Sequence, residues 1–363
     1  MSNRTYRTLD GIRGMAALSI VVLHMPRIFG PVMLPVASLA VDLFFCLSGF
    51  VLAHAYATRF DTGMSPARFM GIRFIRLYPL YLLGTLLGIV EAFATLRYQQ
   101  GSVDWTLADI TWSLPFSLLM IPTPGGHTLF PFNGVMWSIF FELVINLIWV
   151  LFWRPLASTR VLAGVVVASG VALVAFAFYR NSINLGTSWD TFFGGLARVS
   201  YGFFTGILIY RLKDRLRLPS LPPALLLVAV PLLFALPLPK PLQILAALFV
   251  LPWFVALGSK VEPAGILGKF CHAIGLASYA VYALHRRVFM LGYAFLLQFA
   301  HWDAQTLAPW TGFAFIALLV PACMLLDKIY DSPVRKLLTR IFLKRREAAP
   351  ADTPPSELPP RTS

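Results

Sequence analysis

Ten apolar runs, each close to the roughly 20 residues that carry a helix across a bilayer, leave this chain little choice of fold. They lie at residues 12–30, 37–57, 77–96, 133–153, 161–178, 191–210, 222–237, 241–258, 272–296 and 308–327. A backbone in hydrocarbon must satisfy its own hydrogen bonds, and single runs of this length do so as helices. The expected fold is therefore all-α, a polytopic transmembrane helical bundle of about ten spans. Composition agrees: 58% of the 363 residues are hydrophobic and 13% charged, where soluble domains carry about 25% charged residues. The stretch 107–121 is apolar but short, and Asp104, Asp109, Pro115 and Pro122 bracket it. It reads as interfacial or re-entrant.

The net charge of +14 does not point to nucleic acid, because the basic residues sit in short clusters between apolar runs. With the N-terminus inside, twenty-three Lys and Arg residues fall on the inner side and four on the outer. Such asymmetry orients a ten-span bundle with both termini cytoplasmic. Arg198, Arg286 and Arg287 fall within spans and need reasons of their own. The N-terminus is polar and the first apolar run lacks a small-residue cleavage site, so that run is expected to persist as the first helix. Residues 1–338 form the expected membrane domain. Residues 339–363, basic and then Pro-rich ("APADTPPSELPP"), form an expected disordered cytoplasmic tail. Any chemistry must then lie among the helices. Cys46, Cys271 and Cys323 show neither metal spacing nor a disulfide framework and read as packing residues; no metal is expected.

Ionisable residues inside spans are costly, about 2.5–3.5 kcal/mol at a helix centre, and are functional candidates for that reason. In "DGIRGMAALSIVVLHMP" Arg13 and His24 are eleven apart, which returns to within about 20° of the same helix face, roughly 16 Å further along. Asp10 falls near that stripe. The plainer readings are a helix cap for Asp10, a cytoplasmic anchor for Arg13 and a headgroup-level end residue for His24. In "RFIRLYPLY" Arg73 and Arg76 are three apart and neighbours on one face. They suit either a phosphate fork or a topology anchor, and Tyr78 and Tyr81 suit an interfacial belt. In "GVMWSIFFELVINLIW" Glu142 lies inside an apolar helix, with Ser138 and Asn146 four residues to either side on the same face. A lone carboxylate there would be neutral unless paired. Trp137 suits an interface equally well. In "LASYAVYALHRRVF" Ser278 and His285 share a face with Tyr282 between them, and Arg286 and Arg287 follow at once, which suggests a break in the helix. The run "FFCLSGFVLAHAY", with Asp42, Ser48, Gly49 and His54, reads as close helix packing. There is no GxSxG, HExxH or Walker motif.

Together these stretches resemble the membrane acyltransferase family 3. "LDGIRGMAALSIVVLH" is similar to its opening Arg and His, and "VDLFFCLSGFVLA" to its second-helix signature. "RFIRLYPLY" is similar to its Arg-x-x-Arg motif and "MWSIFFELVIN" to its Trp-Ser-Glu segment. "GLASYAVYALH" and "YDSPVRKLL" resemble its late motifs. The matches run in order over roughly residues 8–338. The resemblance implies a multi-pass enzyme of the bacterial inner membrane. Such an enzyme moves an acyl group, often acetyl, from cytoplasmic acyl-CoA to a hydroxyl of a glycan or lipid-linked sugar. Membrane lipids surround it and other glycan-biosynthesis proteins can be its partners. By the same resemblance Arg13 and His24 are the essential pair, Arg73 and Arg76 belong to the donor site and Glu142 is the acidic residue. Trp137, Ser278, Tyr279 and His285 fall in motifs expected to contact substrate. The family pattern has Pro shortly after the late His, where this chain has Arg286 and Arg287.

A mechanism follows as an expectation. Imidazole, with an ordinary pKa near 6.5, suits a general base at neutral pH. His24 takes that role, with Glu142 or Asp10 orienting it, while Arg13, Arg73 and Arg76 bind the CoA phosphates from the cytoplasm. The rival reading is a transporter or flippase of a lipid-linked glycan, which buried charges would also suit.

Overall fold

The computed structural model describes residues 5–98, 105–299 and 303–344, and within them the regular elements are all helical. In chain order they are α1 (Arg7–His24), α2 (Ala40–Asp61), α3 (Pro66–Tyr98), α4 (Leu107–Leu118), α5 (Trp137–Leu151) and α6 (Thr159–Tyr179). Then come α7 (Phe192–Leu212), α8 (Pro223–Ala235), α9 (Lys240–Gly258), α10 (Gly265–Phe299) and α11 (Trp310–Leu343). Among the described residues eight helices are long and apolar enough to cross a membrane: α2, α3, α5, α6, α7, α9, α10 and α11. The other two expected spans correspond to α1 and α8. α1 has 18 residues but spends Arg7, Asp10 and Arg13 in its first two turns. α8 has 13 residues, about 20 Å of helix against a hydrocarbon core of about 30 Å.

Position in the bundle follows from burial. The apolar stretch of α2 is 72% buried among its neighbours, whereas α6 and α11 are 28% and 17% buried and present Leu, Val and Phe outward. Without a hydrophobic drive between helices in lipid, association rests on close packing and internal polar contacts. α2 and α7 use both. A Cβ on Gly49 would sit 1.9 Å from the Phe203 carbonyl oxygen, and one on Gly206 would sit 2.0 Å from that of Cys46. The two backbones therefore touch. Gly49→Ala is expected to force them apart, lowering stability by about 1–3 kcal/mol, read as a drop in the thermal midpoint of purified protein. An unchanged midpoint would show that α2 and α7 tolerate separation.

That approach sets the Asp42 carboxylate against Arg198. Arg198 Nε and Nη2 each donate to Asp42 over 2.7 Å, and Nη2 also donates to the Ser38 carbonyl over 3.0 Å. Both residues are buried. The guanidinium lies over the Trp137 ring, 5.5 Å from its centroid. This accounts for Arg198 inside a span. On α9, Tyr201 reaches from α7 to donate its hydroxyl to the Leu248 carbonyl. Pro252, four residues on, has no N–H to offer that carbonyl, so the tyrosine supplies one.

α4 has 12 residues, about 18 Å, too short to cross. Thr106 and Asp109 close its start as a capping box. It then runs back along α3: Ile110 packs with Ala92, while Tyr81 and Tyr78 donate to the Ser117 and Leu118 carbonyls. The re-entrant reading fits this course. Tyr81 is thus an internal tie, fully buried, rather than a belt residue.

α10 shows no break at Arg286 and Arg287: it is helical throughout Gly265–Phe299. Arg287 is accommodated by donating to Glu91 of α3 over 2.5 Å. Helical structure continues past residue 338, through the end of α11 to Lys344. The rest of the expected tail, 345–363, lies outside the described residues.

Candidate functional site

α1 and α10 run side by side in the same direction. Gly275 makes this possible, because a Cβ there would fall 2.6 Å from the Cβ of Asp10. Arg13 can then bridge the helices: Nη2 donates to Asp10 over 2.7 Å and to the Gly275 carbonyl over 3.1 Å, and Nε donates to Ser278 Oγ over 3.0 Å. Ser278 Oγ in turn donates to Gly275 over 2.7 Å. The arginine is fixed on a polar ledge rather than left to reach outward.

This ledge is one wall of a cavity of about 160 Å³ where α1, α2, α3, α5 and α10 meet. Arg73 and Arg76 of α3, Ser48 of α2, and Ser138 and Glu142 of α5 complete its polar lining; Phe44, Leu77 and Tyr279 supply apolar walls. Glu142 is paired: Oε1 accepts from Arg73 Nη2 over 2.6 Å and from Ser48 Oγ over 2.8 Å. Arg76 donates to Asp331 of α11 over 3.3 Å and lies over the Tyr279 ring. Asp331, buried, also faces Arg335 at 3.0 Å. Each guanidinium of the cavity thus has one carboxylate. An arginine carries five N–H donors, and Arg73 Nε is buried with no partner among the described residues. The three keep donors for an anion.

Further along the same pair of helices, His24 Nδ1 lies 2.8 Å from His285 Nε2, with the rings parallel to within 5°. His285 Nδ1 is 2.9 Å from the carbonyls of Val281 and Tyr282. A carbonyl can only accept, so His285 Nδ1 carries its hydrogen and neutral His285 Nε2 is an acceptor. His24 must then donate from Nδ1, which leaves the lone pair of His24 Nε2 uncommitted by this network. Between this pair and the cavity stands Tyr282. Its hydroxyl is 2.7 Å from Ser138 Oγ and its ring packs on Phe44 and tilts toward His285.

Most of the sequence candidates converge. Arg13, Arg73, Arg76, Glu142, Ser278 and Tyr279 line the cavity, and Asp10 holds Arg13. Three expectations change. Neither Glu142 nor Asp10 orients His24; each is bound to an arginine, and the partner of His24 is His285. His285 therefore faces the other imidazole rather than the cavity. Trp137 is off the cavity wall, packed beneath Arg198 with Phe45 and Phe141. Two residues lie outside the sequence candidates: Ser48, which lines the cavity and binds Glu142, and Asp331, which is off the cavity wall but pairs with Arg76 from 255 residues away. No spacing rule links such distant positions. Ser48 did carry a signal, a hydroxyl in the middle of an apolar span.

The acyltransferase domain family matches residues 6–328. "Protein 2 in picA locus" of Rhizobium radiobacter is 40% identical over 185 residues, 47% of this chain and 93% of that protein. No solved structure matches. The matched region starts one residue before α1 and runs through α10, so it takes in the arginine cavity and the histidine pair alike. On that extent of match, carried by a multi-helix membrane fold, the chain belongs to the membrane acyltransferase family 3.

Proposed function

We propose that the chain is an O-acyltransferase taking an acyl group, acetyl in the simplest case, from cytoplasmic acyl-CoA. It would place that group on a hydroxyl of a glycan, lipid-linked sugar or related acceptor. The observation that carries this reading is the axis along α1. Three guanidiniums line a cavity at one end, and an imidazole with an uncommitted Nε2 lies at the other, roughly 16 Å along the helix from Arg13. The pantetheine arm of CoA is of that order of length. Phosphates held by Arg13, Arg73 and Arg76 would leave the thioester near Tyr282, whose contact with Ser138 must open or be skirted for the acyl carbon to reach His24.

The chemistry then balances simply. The acceptor hydroxyl gives its proton to His24 Nε2 as its oxygen attacks the thioester carbonyl. The carbon–sulfur bond breaks, and the leaving CoA sulfur takes the proton from His24. His285 holds the His24 tautomer, the part that an orienting acid plays in other acyl-transfer sites. The excess of basic residues on one side supports a multi-pass protein of the bacterial inner membrane with both termini cytoplasmic. Family membership favours this reading over the transporter alternative.

Arg73→Ala and Arg76→Ala are each expected to weaken acyl-CoA binding about 10–100-fold, the scale of losing a charged hydrogen-bonding group, with affinity for acceptor unaltered. Calorimetry of purified protein with acetyl-CoA reads this directly. CoA affinity equal to wild type in both variants would make these arginines topology anchors.

A further inference from the structure

Arg286 is the residue the proposed chemistry does not use. It follows His285 directly on α10, one turn beyond Tyr282, and is not among the residues that line the Arg13 cavity. It is half-buried, and among the described residues it makes no hydrogen bond and no ion pair. Glu91, the acidic group that acts on it, is already bound to Arg287 over 2.5 Å. Glu91, Arg286 and Arg287 therefore leave one positive charge over. The charges that bear on Arg286 are those two residues, and Arg286 itself bears on His24 and on His285. An uncompensated guanidinium within a membrane-spanning helix is costly. An anion that arrives with a ligand offsets that cost, and guanidinium binds planar carboxylates and phosphates through paired hydrogen bonds.

We propose that Arg286 binds a carboxylate or phosphate on the acceptor, so that this chain selects an anionic saccharide and sets its hydroxyl against His24. The inference rests on the acyltransferase reading for the word acceptor, but the site itself can be tested without CoA. Arg286 is a positioning and specificity residue in this account: it touches the acceptor's charged group and not the reacting atoms.

The test is binding of glucuronic acid, glucose 1-phosphate and glucose to the purified full-length protein in neutral detergent, with no acyl donor present. Wild type is expected to bind one or both charged sugars at least about tenfold more tightly than glucose, a charged hydrogen bond's worth of preference. Arg286→Gln should erase that preference, and Arg286→Lys should restore part of it. No preference in wild type, or a preference that survives Arg286→Gln, overturns the proposal. A parallel arm places both proteins in nanodiscs of phosphatidylcholine with or without phosphatidylglycerol. If the only Arg286-dependent effect is stabilisation by phosphatidylglycerol, the guanidinium is a lipid anchor and the proposal fails. Loss of acetyl transfer to every sugar, with charged-sugar binding intact, would instead count against the transferase reading.

Discussion

Alanine in place of His24 is expected to cut acyl transfer by roughly 10²–10⁴-fold, the usual contribution of a positioned general base, while acyl-CoA binding stays at the wild-type level. The separation of functions follows from the geometry. The donor-side arginines are fixed by Asp10, Glu142, Asp331 and the Ser278 ledge, none of which touches His24. His24 is tied instead to His285. His285→Phe, which keeps a ring but removes the acceptor nitrogen, should lower kcat with the acceptor KM little changed and shift the pH profile of kcat. A merely structural His285 would lower the yield of folded protein and leave that profile in place. Transfer by His24→Ala at the wild-type rate would remove His24 as the base.

Asp42→Ala should be the most damaging single change to the fold, costing about 3–5 kcal/mol because it strands a buried guanidinium. Such a loss is a large part of the roughly 5–15 kcal/mol that holds a typical domain together. Arg198 would keep its bond to the Ser38 carbonyl and its place over Trp137, but its countercharge would be gone. The double change Asp42→Leu with Arg198→Met removes both charges at similar volume and should recover most of the loss. The thermal midpoint and the folded fraction after detergent extraction read both variants. An Asp42→Ala protein as stable as wild type would mean that water or lipid headgroups reach Arg198, contrary to its burial.

The fold was legible where the physics is local. A run of twenty apolar residues has one outcome in a bilayer, and helices stand over all ten expected spans, though α8 is short and α1 carries charge at its start. The shared face of Arg13 and His24 was legible too, because helical period alone fixes it. Pairings between helices were not. Asp42 and Arg198 are 156 residues apart, Arg73 and Glu142 are 69 apart, and His24 and His285 are 261 apart. Each charge announced that it needed a partner, yet sequence could not say which. The histidine pair is the sharpest case. Glu142 looked like the natural partner of a catalytic imidazole, but glycine packing between α1 and α10 decides which side chains meet, and it brings His285 to His24 instead. The break suggested by Arg286 and Arg287 is absent for a similar reason, since α3 brings Glu91 to Arg287 across 196 residues of sequence.

In the proposed reaction, acyl-CoA held at the arginine cavity gives up its acyl group at His24. Purified protein incubated with acetyl-labelled acetyl-CoA and a saccharide acceptor tests it most directly. Label on the saccharide and free CoA thiol are expected in equal amounts, both lost in His24→Ala while that variant still binds acetyl-CoA. Label transfer that persists in His24→Ala, or a wild-type protein that neither binds acetyl-CoA nor releases its thiol, would contradict it.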